Sequence, residues 1–293
     1  MSSDFTLDPS FTFDFVALDP DDELADTGTR WSTWLAVEPL CRGPQPRPDW
    51  VVTSQAAVDT DLGILKTGKE ADAYLLERAV PGSPPPDRGG LGESVVMVAK
   101  RYRGEEHRTF HRSASYTEGR RTRNTRDMRA MTNKTSYGRS VAAGQWARAE
   151  WEALVRCHEL GLPVPYPVQI DGTEILMEWI RVDGPDGSST APRLAQTRPE
   201  PELLAHYFSQ LRDVLLTLTE HGLVHGDLSP YNVLAAGDRL VVIDLPQMVD
   251  LVANPAGADF LLRDCTNVCR WFAARGLDVD EHALFGELMA VAF

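Results

Sequence analysis

His225-Gly226-Asp227-Leu228-Ser229-Pro230-Tyr231-Asn232-Val233-Leu234, followed by Val242-Ile243-Asp244, is the stretch that decides how this chain is read. Asp227 and Asn232 stand five apart, and Asp244 follows twelve residues later at the end of an apolar run. That order suits phosphoryl transfer. One Asp orients a hydroxyl, while the Asn and the second Asp hold Mg²⁺ on a nucleoside triphosphate. The plain alternative is a pair of buried turn aspartates satisfied by the Asn. It does not account for the spacing and the apolar frame together. His225, just ahead of the loop, reads as a structural histidine bonded to the loop backbone rather than as an acid or base.

Working upstream, Val95–Tyr102 is a β run (Val-Val-Met-Val-Ala-Lys-Arg-Tyr) that carries Lys100 near its end. A lone strand-end Lys is as well explained by solvation. Beside the Asp loop it reads as the cation that pairs the α- and β-phosphates. Ala142–Glu159 has helical periodicity, with Trp146, Ala149, Ala153 and Leu154 on one side. Glu150, four before Leu154, is placed on the inward side to hold Lys100, with Glu152 as its rival on another face. Gly63-Ile64-Leu65-Lys66-Thr67-Gly68-Lys69-Glu70 imitates a Walker A loop. It ends in Glu where Ser or Thr must meet Mg²⁺, and Ala71–Leu75 looks like a strand rather than the required helix. The stretch is better read as a strand–turn–strand cover over phosphates, with Gly68 at the tight position and Lys69 and Glu70 beside it. Met177-Glu178-Trp179-Ile180 ends a hairpin, and the backbone of Glu178 and Ile180 is expected to meet an adenine edge in an apolar slot that includes Met177.

The elements sort into two halves. Strands dominate up to about residue 180, with a hairpin at Val168–Ile180 turning on Asp171-Gly172. Pro201–Glu220 is a strongly amphipathic helix closed by Gly222. Short strands at Val233–Leu234 and Leu240–Ile243 follow, then helices at Asp259–Ala274 and Glu281–Ala292. The expected division is an acidic, mostly irregular leader (1–50), a β-rich N-lobe (51–180) and a helical C-lobe (181–293), with Glu178–Val182 as the joint. A short helix is expected near Asp26–Val37, irregular loops at 81–86 and 183–199, and a mobile basic insertion at about 104–139. Trp31, Trp34 and Trp50 are expected to dock the leader on the body.

At 293 residues and 43% hydrophobic content the chain can bury a large core. No apolar run approaches the roughly 20 residues of a bilayer span, and no secretory signal is visible. Cys41, Cys157, Cys265 and Cys269 show no metal spacing with His, so a reduced, cytoplasmic setting is expected. The net charge of −14 excludes a global basic footprint for nucleic acid. The charge is uneven, however. Residues 1–50 carry ten acids and three bases, whereas 101–139 carry eleven bases and four acids.

Lys66-Thr67-Gly68-Lys69-Glu70-Ala71, Ala99-Lys100, Trp146-Ala147 through Glu150, the Asp227 loop and Ile243-Asp244-Leu245-Pro246-Gln247 together resemble the RIO atypical protein kinases, most closely their first type. The resemblance runs from about Asp49 to Gly276, and Phe260–Phe272 resembles the helix after their metal loop. Ordinary kinases carry Arg before the catalytic Asp and a longer glycine-rich loop. The resemblance implies an α+β, bilobal protein-kinase-like fold with a reduced helical C-lobe. It implies ATP with Mg²⁺ or Mn²⁺ as cofactors, and phosphorylation of serine, including self-phosphorylation. For some members it implies an ATPase cycle through a phospho-aspartate in ribosomal subunit maturation. Asp227 would then be catalytic, Lys100 and Glu150 its ion-pair support, and Asn232 and Asp244 the metal ligands. Only 49 residues follow Asp244, leaving no room for the peptide-binding helices of ordinary kinases. Arg148 departs from the acid that type-one relatives tend to show two before the helix Glu.

Two other functions fit part of the pattern. Aminoglycoside- and choline-kinase-type phosphotransferases share His-Gly-Asp-Leu-x-x-x-Asn, but their helical lobe is usually longer. A nucleotide-switched module that binds ribosomal RNA or a pre-ribosomal protein through Arg120–Arg129 is the other, with a merely solvated basic loop as its bland counterpart.

Overall fold

A computed structural model describes residues 28–85, 90–103, 136–184 and 187–292, with the side chains of 136–141 excepted. Residues 104–135 of the expected basic insertion and 1–27 of the acidic leader lie outside these residues, whereas 136–139, expected as insertion, are helical. The N-terminal half is a six-stranded antiparallel sheet in the order β1-β2-β3-β4-β6-β5. Its strands are β1 (Thr29–Trp31), β2 (Val58–Thr67), β3 (Ala71–Ala79), β4 (Ser94–Tyr102), β5 (Pro167–Asp171) and β6 (Glu174–Glu178). The long helix α1 (Ser136–Glu159) packs against the sheet between β4 and β5 in sequence.

The β4 strand shows why the site faces where it does. Its side chains alternate between faces. Val95, Met97 and Ala99 are buried with Leu76, Val168, Leu176, Trp34, Val51 and Val52 in one cluster. That burial leaves Val98, Lys100 and Tyr102 for the opposite face, toward α1. The cluster is partly built from the leader. Trp34 is buried, with the Arg42 and Arg47 guanidiniums 5.4 and 5.0 Å from its ring centroid. A buried polar network ties the same segment down. Arg78 donates to both oxygens of Asp59 (2.6 and 2.9 Å) and to Gln169 (2.8 Å), and Gln169 donates to Thr33 Oγ1 (2.7 Å).

Three expectations about local structure change. Within Asp26–Val37, Thr29–Trp31 forms the edge strand β1 and 34–36 a turn, and no helix stands among the described residues there. Thr29–Trp31 pairs with Val58–Thr60, and Arg30 reaches Asp59 and Glu174. A sheet edge supplies backbone partners that no local periodicity reveals. The 183–199 loop is also more ordered than its Gly and Pro content suggests. Arg181–Gly184 (β7) pairs with Gly187–Thr190 (β8), and Leu194–Gln196 is a single 3₁₀ turn. Finally, the β5–β6 hairpin turns on Gly172-Thr173, one residue later than Asp171-Gly172. Asp171 pairs with Glu174, and Gly172 takes φ 55° at the first loop position.

The C-terminal half follows the sequence pattern closely. The helix α2 (Pro201–Glu220) buries Leu204, Tyr207, Leu211, Val214, Leu215 and Leu218. Pro201 opens it and Gly222, at φ 68°, follows it. β9 (Leu223–Val224) pairs with β12 (Val249–Asp250), and β10 (Val233–Ala236) pairs with β11 (Arg239–Val242). α3 (Gly257–Ala273) and α4 (Glu281–Ala292) close the lobe, with Cys265, Cys269, Phe272, Leu284 and Leu288 in the core. The molecule is an α+β, bilobal, kinase-like fold. Among the described residues no helix is long and apolar enough to cross a membrane.

Candidate active site

Lys100, on the cleft face of β4, lies between two carboxylates. Its Nζ is 2.7 Å from Glu150 Oε1 on α1 and 2.9 Å from Asp244 Oδ1 beyond β11. Glu150 is buried, whereas Glu152 is exposed and pairs with Arg148 at 2.8 Å one turn back. The helix thus presents Glu150, not its rival, to the lysine. Tyr102, two residues after Lys100 and so on the same face, donates its hydroxyl to the other Glu150 oxygen. Burial works against the Lys100 ammonium, but Glu150 and Asp244 outweigh it and hold its pKa above the ordinary lysine value. Burial likewise raises Asp244, yet Lys100, with Lys66 behind it, leaves it below the usual carboxylate range. Asp244 sits at φ +67°, a left-handed conformation uncommon outside glycine.

The Asp227 loop is held from below by α3. Asp264 accepts the Gly226 N–H on Oδ2 and the Leu228 N–H on Oδ1, each at 2.8 Å. Arg263 donates to the Gly226 carbonyl, and Asn267 donates to the Leu228 carbonyl at 3.1 Å. Positions 263, 264 and 267 share one helix face, so a single face of α3 fixes the peptide groups on both sides of Asp227. Asn232 donates from Nδ2 to the Asp227 carbonyl (2.9 Å), which leaves its own Oδ1 as an acceptor. The Asn232 carbonyl accepts the Ile243 N–H at 2.9 Å, so Asn232 sits across from the residue before Asp244. His225 is fully buried and spans the two segments. Its Nδ1 accepts the Asp227 N–H (3.3 Å), and its Nε2 lies 3.4 Å from the Ile243 carbonyl. Burial lowers its pKa, which keeps the ring neutral for these bonds.

Asp264 carries a testable pH signature. Burial pushes its carboxyl up to about 7, with Asp227 adding to the rise and the two N–H donors and Arg263 opposing it. A raised acid pKa means that the folded state binds the proton more tightly than the unfolded chain. The contribution to stability is therefore greatest below pH ~4 and fades as pH rises through about 7. Chemical denaturation of the parent and of Asp264→Asn, between pH 4 and 8, should show the parent losing stability relative to the variant as pH rises. Parallel curves would mean that the carboxyl stays ionised throughout.

The remaining sequence candidates fall into place unevenly. Gly68 makes the β2–β3 turn: its N–H donates to the Ala71 carbonyl at 3.0 Å, and a Cβ there would lie 2.6 Å from that oxygen. Lys69 and Glu70 are exposed beside it. A strand, β3, follows the turn where a Walker loop needs a helix. At the joint, Met177 is buried in the core. The Glu178 N–H is already donated to the Tyr166 carbonyl at 2.9 Å, and the buried Ile180 accepts the Ala191 N–H at 3.0 Å. Half of the backbone edge assigned to a base is therefore spent on the protein itself. Tyr102, Arg263, Asp264 and Asn267 went unassigned by sequence reasoning. The i, i+2 spacing of Tyr102 from Lys100 and the resemblance of Phe260–Phe272 to the helix after the RIO metal loop were the signals that could have found them.

The oxygen set fits a hard divalent ion. Asn232 Oδ1 and the Asp244 carboxylate offer oxygens only. Among the described residues no group of three or more His, Cys, Asp or Glu side chains is arranged to hold a metal ion. Two protein oxygens suit Mg²⁺, which keeps several waters and takes phosphate oxygens, rather than an ion that needs a full protein cage.

Comparison with known proteins agrees with this geometry. The RIO domain family model matches residues 96–284, which hold Lys100, Glu150, the Asp227 loop, Asp244 and Asp264. The RIO-type serine/threonine-protein kinase Rio1 of Haloferax volcanii is 32% identical over 228 residues, covering 78% of this chain and 68% of that protein. The serine/threonine-protein kinase RIO1 of Caenorhabditis elegans is 36% identical over 135 residues, 46% of this chain but 26% of the worm protein. In fold, the chain is similar to the crystal structure of the Rio2 kinase-ADP/Mg²⁺-phosphoaspartate complex from Chaetomium thermophilum. The TM-score is 0.54 at 21% identity, over 79% of this chain and 62% of that one. A matched family model across the whole Lys100–Glu150–Asp227–Asp244 cleft, with a relative aligned over most of the chain, shows that the chain belongs to the RIO family.

Proposed function

We propose that this protein is an ATP- and Mg²⁺-dependent serine/threonine protein kinase that phosphorylates itself, with ATP hydrolysis as an accompanying or main activity. The observation that carries the reading is Lys100 bonded at once to Glu150 and Asp244, across from an Asp227 loop clamped on both sides. The kinase names of the relatives support it. Bound MgATP supplies the transferable phosphoryl group and its counter-ion. Asp227 takes up the proton of the attacking serine hydroxyl or water. Lys100, oriented by Glu150, neutralises the phosphates that stay behind. Asn232 and Asp244 are the oxygen donors for Mg²⁺, and the Gly68–Glu70 turn covers the phosphates. For the base edge, the Glu178 carbonyl and the Ile180 N–H offer an acceptor and a donor, because the Glu178 N–H and the Ile180 carbonyl are engaged elsewhere. The Arg-rich stretch within 101–139 supports pre-ribosomal RNA or protein as a partner and ribosome maturation as the setting. The family match weighs against the small-molecule phosphotransferase reading.

Incubation of the purified protein with γ-labelled ATP and Mg²⁺ tests this directly. Label on the protein that survives hot acid marks phosphoserine, and label released by neutral hydroxylamine marks an acyl phosphate on Asp. No label together with no released phosphate would overturn the proposal.

A further inference from the structure

The register of the sheet places a second lysine beside Lys100. Lys66 in β2 pairs with Ala73 in β3, and Ala73 pairs with Lys100 in β4. Directly opposed residues of antiparallel neighbours share a face. Lys66 therefore lies on the cleft face in the same cross-strand row, two strand spacings or about 10 Å from Lys100. Between them stands Ala73, whose methyl leaves the space open. The pairing of β2 shifts between Ile64 and Lys66, and that irregularity sets which residue comes to face Ala73.

The floor of the cleft supplies a matching cation. Arg193 donates to the Tyr231 carbonyl, inside the loop between Asp227 and Asn232, and the next stretch is fixed by Ala195 N–H to the Pro230 carbonyl at 2.9 Å. Among the described residues neither Lys66 nor Arg193 has a carboxylate within ion-pair distance, unlike Lys100. Burial, then Arg193 and Lys100, depress the Lys66 pKa, and Asp244 offsets them only in part. Lys66, Lys100 and Arg193 thus share the nearby carboxylate of Asp244, which is itself paired with Lys100. An exposed strand-end lysine ordinarily needs no ligand. The shared row, the cation opposite and the lack of an ion pair of its own set this one apart.

We propose that Lys66, from the ceiling, and Arg193, from the floor, form a second cationic contact for the polyphosphate of the bound nucleotide, beside that of Lys100. This rests on the nucleotide-binding reading above and names two residues for it. Guanidinium and ammonium donors meet phosphate oxygens through charge-assisted hydrogen bonds, which are among the stronger polar contacts. The contact scales with phosphate number and is blind to the base.

Calorimetric binding of adenosine, ADP and a non-hydrolysable ATP analogue, with Mg²⁺, separates the outcomes. In Lys66→Met the ATP analogue and ADP are expected to bind roughly tenfold more weakly or worse, the worth of one charge-assisted bond. Adenosine should bind as in the parent, Lys66→Arg should retain most of the affinity, and Arg193→Gln should repeat the phosphate-graded loss. Unchanged ADP and analogue affinity in Lys66→Met overturns the proposal. So does an equal loss for adenosine, because that marks a structural role. A parent that binds none of the three overturns the nucleotide reading itself, and this contact with it.

Discussion

Asp227→Asn is expected to slow phosphoryl transfer from ATP by about 10²–10⁴-fold, the usual worth of a positioned general base. The substitution keeps the side-chain shape and removes only the ability to take a proton. The contacts that place this residue are made by backbone, and so survive it. Asp264 holds the Gly226 and Leu228 N–H groups, and Asn232 holds the Asp227 carbonyl. Folding and nucleotide affinity should therefore match the parent while turnover collapses. Phosphate release and self-labelling, measured with saturating MgATP, check it. A variant that hydrolyses ATP and labels itself at the parent rate removes Asp227 from the chemistry.

Arg78→Met should cost about 3–5 kcal/mol of stability, the penalty for stranding one member of a buried ion pair. Arg78 and Asp59 are both essentially sealed from water, at 0% and 1% exposure. Removing the guanidinium leaves the Asp59 carboxylate with only the longer 3.7 Å contact to Arg30, and leaves Gln169 short of a donor. The double variant Arg78→Met with Asp59→Leu should regain most of the loss, because it removes the buried charge along with its partner. Urea midpoints of parent, single and double variants give the answer. A single variant within about 1 kcal/mol of the parent would show the network to be energetically idle.

How much was readable in advance varies by element, and the variation has a cause. The α2 helix was legible to its ends because its apolar stripe, opening Pro201 and closing Gly222 are all local signals. β4 was legible because a β-branched run has few other uses. β1 was not. Its three residues are held by a strand some thirty positions away and by the reach of Arg30 to Glu174. The choice of Glu150 over Glu152 rested on one apolar residue four positions later, and the helix does turn that way. The resemblance of Phe260–Phe272 marked the helix that holds Asp264, but not what its side chain would reach. Its role depends on α3 packing under a loop 36 residues earlier in the chain. Which backbone groups of Glu178 and Ile180 stay open to a base was not legible either, because strand position alone does not show that the Glu178 N–H is donated to Tyr166.

The order and spacing of Asp227, Asn232 and Asp244, their apolar frame and the two-lobe division were written in the sequence alone. Side-chain chemistry and short-range periodicity carry that information. Which face of β4 looks into the cleft, which helix clamps the catalytic loop and which lysines come to share one row were decided only by the tertiary structure. Those outcomes depend on which distant apolar surfaces are buried first. Burial is settled by the whole chain packing against itself, and no window of neighbouring residues contains it.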